Sequence, residues 1–309
     1  MSDILPIPEN LFGLTSTSGI DPILVCDWIE VSALISNYKI NMNKVSDFLV
    51  DSEVFSGKER QDQSSSFIDG VFRRLENRQN ILLGSYPFKI SDGHINSNGS
   101  WFKNPEYAFC TILSLIPYYR DWSRVITSYV EQGILFERLS AYCLKSILPS
   151  WNVKCVGWTR DDTKTLRDRL PMILDWINEK GGDFGRWGDE KAKDGGLDIL
   201  CFRDFQDSRS GLPIILVQSA SGCNWRNKLH TPHPLKWLGY LDTPFIPWKG
   251  ITIPFHVCDE HFSRRSRDAE GVIFDRLRLF SAVTAFEDKK LKADLRKWLK
   301  RVIESFPEK

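Results

Sequence analysis

The chain has 309 residues, which exceeds the length of one average domain and predicts two compact units. Hydrophobic residues make up 42% of the chain and charged residues 26%, a composition that excludes bulk disorder. The 41 lysines and arginines nearly balance the 40 acidic residues, so the net charge of +1 excludes a strong overall field for nucleic acid or an anionic membrane.

Residues 1–122 are expected to form a mainly helical domain. Apolar spacing predicts two short helices within residues 21–49, a third over residues 66–82 and a fourth over residues 105–119. The third helix is expected to turn Arg73, Arg74 and Arg78 to solvent, and residues 57–66 before it are expected to form a loop. Two alternating runs around an Asp-Gly turn signal then predict a hairpin. Three helices followed by a hairpin is the element order of a winged helix, which docks nucleic acid or protein.

Residues 123–309 are expected to form a mixed α/β domain. Helices are predicted over residues 125–148, 161–180, 222–230 and 289–305, and strands over residues 153–158, 196–205, 212–219 and 251–257. The order helix, strand, inserted helix, hairpin, helix and strand is typical of a mixed sheet with helices packed against it.

The hairpin formed by residues 196–205 and 212–219 brings two polar residues together. A turn centred near Ser208 places Asp198 opposite Gln218, because facing residues of an antiparallel pair are equally far from the turn. Side chains alternate along a strand, so both groups lie on one face at the open end of the hairpin. A carboxylate and an amide oxygen a few ångströms apart suit Mg²⁺ when substrate phosphate and water fill its remaining positions.

Further candidate residues flank this hairpin. Asp194 supplies a second acid before the first strand, and Gly195 and Gly196 give the backbone freedom there. After the second strand, Gly222 marks a turn and Lys228 follows about two helical turns later. An ammonium group there would position an attacking water or screen developing negative charge.

Basic residues are concentrated in the second half of the chain. Residues 1–125 contain 11 lysines and arginines against 15 acids, and residues 126–309 contain 30 against 25. Arg264, Arg265 and Arg267 form the densest basic run. We expect these arginines to contact a phosphate backbone, which provides affinity without sequence information. Scattered surface charge and pairing with neighbouring acids remain open as alternatives.

The cysteines and the N-terminus indicate the compartment. The seven cysteines are odd in number, widely spread and without a C-x-x-C pair, which favours reduced thiols in the cytoplasm. The N-terminus has no basic region followed by an apolar one, and no stretch approaches about 18 uninterrupted apolar residues. We therefore expect a cytoplasmic protein that is neither exported nor membrane-spanning.

Two sequence stretches carry a resemblance to a known superfamily. The strands D-G-G-L-D-I-L and I-L-V-Q-S-A-S-G are similar to the D…(D/E/Q)-x-K hairpin of PD-(D/E)xK nucleases. The stretch L-F-E-R-L-S-A-Y-C-L-K-S-I-L resembles the F-E-x-L helix that opens their fold. Residues 125–290 thus resemble a restriction-endonuclease-like domain with a mixed-sheet α/β core. The resemblance implies cleavage of DNA that depends on Mg²⁺ or Mn²⁺.

Carried over to this sequence, the resemblance makes Asp198 a metal-binding carboxylate, Gln218 the second ligand and Glu137 an auxiliary acid. The chain also resembles bacterial proteins that join such a domain to an N-terminal helical module and are often found among phage-defence genes. Its first half contributes F-R-R-L-E-N-R-Q-N-I-L-L-G-S-Y-P-F-K-I to that similarity. This resemblance implies defence against foreign DNA, with DNA and a protein from the same operon as partners.

The sequence departs from the superfamily at the lysine expected two residues after Gln218, where Ala220 stands. Some members place this lysine on the following helix, which makes Lys228 the first substitute and Lys193 a weaker one. The departure leaves two hypotheses: an Mg²⁺-dependent endonuclease, and a nuclease fold with a decayed site that serves as a nucleic-acid-binding scaffold or sensor.

Other catalytic motifs are weak or absent. The histidines between residues 230 and 261, with Cys258 and Asp259, lack the paired spacing of zinc ligands. The chain has no G-x-x-x-x-G-K-[ST] loop for nucleotide hydrolysis and no G-x-S-x-G elbow for a serine nucleophile.

Overall fold

A computed structural model describes residues 4–11, 19–55, 57–126, 129–156, 165–187 and 195–305. Its contacts divide the chain into two compact units, one of residues 1–127 with 284–309 and one of residues 128–283. The closing helix thus belongs to the first unit, whereas the sequence placed all of residues 123–309 together. Lys193 and Asp194 lie outside the described residues.

The described helices are α1 (Pro22–Ser36), α2 (Met42–Asp51), α3 (Arg60–Leu82), α4 (Pro105–Leu115), α5 (Arg120–Val125), α6 (Tyr129–Ile147), α7 (Leu166–Ile177), α8 (Phe184–Trp187), α9 (Pro234–Trp237), α10 (Asp259–Ala269), α11 (Arg276–Phe280) and α12 (Lys289–Ile303). The described strands are β1 (Ile40–Asn41), β2 (Phe88–Ser91), β3 (His94–Ser97), β4 (Asn152–Cys155), β5 (Ile199–Phe202), β6 (Ile214–Ser219), β7 (Trp248–Thr252) and β8 (Val272–Phe274). Single 3-10 turns cover Leu83–Ser85, Ile116–Tyr118 and Trp225–Lys228.

The first unit combines helices with a small antiparallel sheet in the order β1-β3-β2. Its β2–β3 hairpin turns at Asp92 and Gly93, whose φ angles are 52° and 67°, as the Asp-Gly signal predicts. Helix α3 begins at Arg60, inside the run expected to be a loop. Helix α12 packs its Trp298 edge-on against Phe109 of α4, with ring centroids 4.8 Å apart.

Arg78 is buried in the first unit, which corrects the expectation that it faces solvent. Its Nη1 atom lies 2.8 Å from Asp27 Oδ1 and 2.8 Å from Glu30 Oε1. The Tyr86 hydroxyl donates to Glu30 at 2.7 Å, and the Ser114 hydroxyl donates to Asp27 at 2.6 Å. Burial by itself would lower the pKa of Arg78, but the two carboxylates raise it well above its usual value. Periodicity within α3 could not reveal partners that lie on α1, so the sequence pattern assigned Arg78 to the surface.

We predict that Arg78→Met destabilises the protein by about 3–5 kcal/mol, because it leaves two buried carboxylates without their cation. Urea unfolding of the full chain, followed by circular dichroism, measures the change. Arg73→Met is the matched control, since Arg73 is exposed on the same helix and its loss should change stability by no more than about 0.5 kcal/mol. Equal effects of the two substitutions would contradict the role of the buried network.

The second unit is a mixed α/β structure, as expected. Its five-stranded sheet has the order β4-β5-β6-β7-β8, in which β4, β5 and β6 are antiparallel and β6, β7 and β8 are parallel. Two apolar clusters lie side by side on one face. The first joins β5 and β6 to α7 and Trp237, and the second joins β7, β8 and Ala220, which follows β6, to Trp225 and Leu229.

Several elements of this unit differ from the expected ones. Strand β7 begins at Trp248, before the expected residues 251–257, and β8 and α10 were not predicted. The helix expected over residues 222–230 is a single 3-10 turn. Its residues Trp225 and Leu229 both enter the second apolar cluster, so tertiary packing sets the shape of this segment. Among the described helices, none is long and apolar enough to cross a bilayer.

Candidate functional site

Asp198 and Gln218 meet at the ends of β5 and β6. The two strands pair with Ile199 opposite Val217, and this register continues to Asp198 opposite Gln218. The Gln218 amide nitrogen donates a hydrogen bond to Asp198 Oδ2, and the backbone N–H of Ser219 donates to the same oxygen at 2.6 Å. The two side chains therefore share one face and are in contact, in the register that the turn position predicts.

Gln218 is buried between the two apolar clusters. Leu216 of β6 belongs to the first cluster and Ala220, just after β6, to the second, and Gln218 lies between them with 7% of its surface exposed. A buried amide needs internal hydrogen-bond partners. Besides its bond to Asp198, Gln218 accepts one through Oε1 from the Thr231 hydroxyl at 3.1 Å.

Thr231 belongs to a segment that passes over this face of the sheet. We call residues 225–237 the crossing segment, because Trp225 lies in the second cluster and Trp237 in the first. The segment approaches the backbone before β5 closely: a Cβ atom on Gly196 would lie 2.7 Å from Thr231 Cβ. Gly196 also has a φ of +79°, which favours glycine. The residue at position 196 therefore permits the contact between Thr231 and Gln218.

We predict that Gly196→Ala destabilises the protein by about 1–3 kcal/mol, because the new methyl group would meet Thr231 in a backbone conformation unfavourable for alanine. Thermal unfolding of the full chain measures the effect. The control is Gly133→Ala in α6, where an added Cβ has no neighbour within 4 Å. That substitution should be neutral or stabilise by up to about 1 kcal/mol. Similar destabilisation by both substitutions would refute the steric requirement at Gly196.

The pair offers ligand types that suit a divalent ion. A carboxylate oxygen and an amide oxygen are ligands for Mg²⁺ or Mn²⁺. In this structure Gln218 turns its amide nitrogen to Asp198, so its oxygen would have to rotate toward the carboxylate. Thr231 is compatible with that rotation. Its hydroxyl oxygen also lies 3.0 Å from the Lys228 carbonyl oxygen. The hydroxyl can therefore donate to that carbonyl while it accepts a hydrogen bond from the rotated amide nitrogen of Gln218. Asp198 and Gln218 are therefore the residues that would hold the ion.

Glu137 is not brought to this pair. Its carboxylate accepts a hydrogen bond from Cys155, and partial desolvation together with that carboxylate raises the pKa of the Cys155 thiol to about 12. Cys155 pairs with Ile199 in the sheet, so its side chain points to the face opposite that of Asp198. The geometry separates Glu137 from Asp198 by the sheet, and this corrects the expectation that Glu137 assists at the same metal ion.

Position 220, where the superfamily pattern has a lysine, holds a buried alanine in this chain. Ala220 is fully buried in the same apolar cluster as Trp225 and Leu229, where a lysine would need space that the crossing segment occupies. Lys228 stands at the end of the Trp225–Lys228 turn and is half-buried. Its backbone carbonyl oxygen accepts from the backbone N–H of Thr231 at 3.1 Å, which links it to the site.

Sequence analysis missed a second lysine, Lys249. It is the register partner of Leu216 in β7, so its side chain lies on the same face as that of Gln218. Its ammonium group donates to the Leu229 carbonyl oxygen, and burial lowers its pKa. Lys249 thus fastens the crossing segment to the sheet. The expected strand began at residue 251, so Lys249 was not assigned to a face.

A long stretch of the sequence around the site has no acidic residue, and the sequence analysis did not identify it. Residues 208–241 include four lysines and arginines and no aspartate or glutamate. Within the crossing segment, Arg226 and Lys228 are half-buried, and Lys236, His230 and His233 are exposed. A search for one-signed stretches would have found it. The crossing segment, which contacts Gln218 through Thr231, therefore carries three lysines and arginines and no acid.

The basic run of α10 has a mixed environment. Arg264 and Arg267 are exposed, whereas Arg265 is half-buried and lies 3.3 Å from Asp268. Phe262, on the same helix, packs against the second apolar cluster, and the Arg278 guanidinium lies 4.3 Å from its ring centroid. The helix is thus held by apolar packing, and its arginines lie beside acids of the same helix.

Across the part of the chain that the structure describes, no group of three or more histidine, cysteine, aspartate or glutamate side chains could hold a metal ion. A comparison with known proteins found no match to a family model, to a curated protein or to a solved structure. The resemblance to PD-(D/E)xK nucleases therefore depends on the residues and motifs of this chain alone.

Proposed function

We propose that the chain is a metal-dependent DNA endonuclease with a restriction-endonuclease-like second unit. The contact between Asp198 and Gln218 at the ends of two paired strands carries this proposal. The acid-free stretch that contains the crossing segment supports it, because cations on the segment that contacts Gln218 suit a phosphodiester substrate. A role in bacterial defence against phage rests on the sequence resemblance.

In this proposal each residue has a distinct task. Asp198 and Gln218 hold the ion, which when bound polarises a phosphate and supplies an activated water. Thr231 and Gly196 fix the Gln218 amide. Lys228 lies on the segment over the site and would orient water or stabilise negative charge on the phosphate. Arg264 and Arg267 would contact the DNA backbone farther away.

The first unit supports a winged-helix-like module. Its element order α1, β1, α2, α3, β2, β3 and its sheet order β1-β3-β2 suit that architecture. On α3, the exposed residues include Asp69 and Glu76 as well as Arg73. With Arg60 and Asp62 included, α3 exposes three acids against two arginines, which does not favour a phosphate backbone. We therefore propose that α3 docks a protein partner, such as one from the same defence operon.

The decisive experiment is a nuclease assay with Mg²⁺ or Mn²⁺ on plasmid, single-stranded DNA and RNA. We expect the wild-type chain to cut DNA and a chelator to abolish cutting. Asp198→Asn should lower the rate by about 100-fold or more, because a bound ion contributes several kcal/mol to the transition state. Asp207→Asn is the control, since this exposed carboxylate lies in the turn of the same hairpin. Equal rates for the two variants would contradict the proposal.

A second candidate function is a nuclease fold that binds without cutting. Two observations favour it: Ala220 is buried where the lysine is expected, and the Gln218 amide nitrogen occupies an oxygen of Asp198. In that case neither the wild-type chain nor Asp198→Asn would cut any substrate, although both would bind DNA equally well.

Lys228 can be tested separately from DNA binding. We predict that Lys228→Met lowers the cutting rate at saturating DNA by about 100-fold, the size typical of a positioned proton-transfer or charge-stabilising group. Lys236→Met is the matched control, because Lys236 lies on the same crossing segment and is exposed. Both substitutions remove one cation and should weaken binding alike. A saturating rate that falls equally in both variants would exclude a special role for Lys228.

A further inference from the structure

Helix α12 in the first unit carries a basic face. Its exposed cations are Lys289, Lys290, Lys297, Lys300 and Arg301, which we call the lysine stripe. Lys297, Lys300 and Arg301 follow Lys290 by 7, 10 and 11 residues. In a helix that turns every 3.6 residues, these spacings bring the side chains to one side. The exposed residue between them on that side, Ala293, leaves room for a ligand to approach. Within the helix, Asp294 is the single acid, and it lies at the edge of the stripe, four residues after Lys290 and three before Lys297.

The opposite face of α12 is already used in packing. The buried residues on that face are Leu291, Leu295, Trp298, Leu299 and Val302. A basic amphipathic helix binds a membrane surface by inserting its apolar face. In α12 that face packs inside the first unit, where Trp298 meets Phe109. Only the charged side is therefore presented to a partner, which favours a polyanion in water over a lipid surface.

Two further cations of α12, Arg296 and Lys292, lie against aromatic rings and outside the stripe. The Arg296 guanidinium lies 4.3 Å from the ring centroid of Phe102, and its Nε atom donates to the Phe102 carbonyl oxygen at 2.8 Å. The Lys292 ammonium lies 5.8 Å from the Phe286 ring centroid. In the stripe, Lys300 lies 3.7 Å from Glu304, but both side chains are more than 60% exposed, so this pair holds Lys300 weakly.

We propose that the lysine stripe binds the backbone phosphates of duplex DNA without reading its sequence. From Lys290 to Arg301 the helix extends about 16 Å, a length over which duplex DNA presents on the order of ten phosphates. Helix α10 is a poorer site, because Asp259, Glu260 and Asp268 balance its three arginines. The choice of DNA as the polyanion rests on the proposed nuclease function, whereas the binding itself needs neither Asp198 nor a metal.

The test is fluorescence anisotropy of a labelled duplex with the full chain in EDTA, at a series of salt concentrations. The variant is Lys290→Gln, Lys297→Gln and Lys300→Gln combined. We expect its affinity to fall about 10-fold or more at low salt, and its log-log salt slope to become shallower by about 2 to 3. The control combines Lys39→Gln, Lys58→Gln and Lys89→Gln, which removes three exposed lysines from the same unit. Circular dichroism melts should show both variants folded, since all six residues are exposed.

The outcomes separate the stripe from the nuclease proposal. A large loss in the stripe variant with a small loss in the control supports the stripe, even where the wild-type chain cuts nothing. Unchanged binding by the stripe variant, or equal losses in both variants, overturns it even where the wild-type chain cuts DNA. Vesicles of phosphatidylserine and phosphatidylcholine form a further arm. Stripe-dependent binding to these vesicles that is tighter than binding to DNA also overturns the proposal.

Discussion

The amide of Gln218 lies almost fully buried between two apolar clusters, and an amide in such a place must find its hydrogen-bond partners inside the protein. One partner, Asp198, comes from the neighbouring strand, and the other, Thr231, comes from the crossing segment. The two hydrogen bonds of the Gln218 amide therefore fix the positions of both the Asp198 carboxylate and the crossing segment. Gly196 is part of the same constraint, because any larger residue there would press on Thr231.

The same packing explains how the site differs from the superfamily pattern that the sequence resembles. A lysine at position 220 would have to displace the apolar cluster formed with Trp225 and Leu229. In this chain, Lys228 and Lys236 lie on the crossing segment, where Lys228 is half-buried and Lys236 is exposed. A flexible cation on a segment costs less desolvation than one buried in a strand. The arrangement is compatible with cutting and with binding alone. The effect of Lys228→Met on the cutting rate distinguishes the two.

The sequence predicted the local features and missed the long-range ones. The Asp198 and Gln218 pairing follows from the turn position alone, because a hairpin fixes its own register. Arg78 was assigned to the surface because its partners Asp27 and Glu30 lie on another helix. Glu137 was grouped with Asp198 by motif, although the face on which a helix packs is set by tertiary contacts. The shape of the crossing segment likewise depends on which cluster each of its tryptophans enters.

Positive and negative side chains are concentrated in different parts of this protein, although their numbers are almost equal over the whole chain. A net charge of +1 conceals an acid-free stretch over residues 208–241 and a basic face on α12, while the exposed side of α3 carries acids. Because the Debye length at physiological salt is about 8 Å, a phosphate responds to the charges nearest to it and hardly to the sum over the chain. Local stripes can therefore bind DNA on a nearly neutral protein. Acids elsewhere on the surface then act against non-specific contact and limit the faces on which DNA can settle.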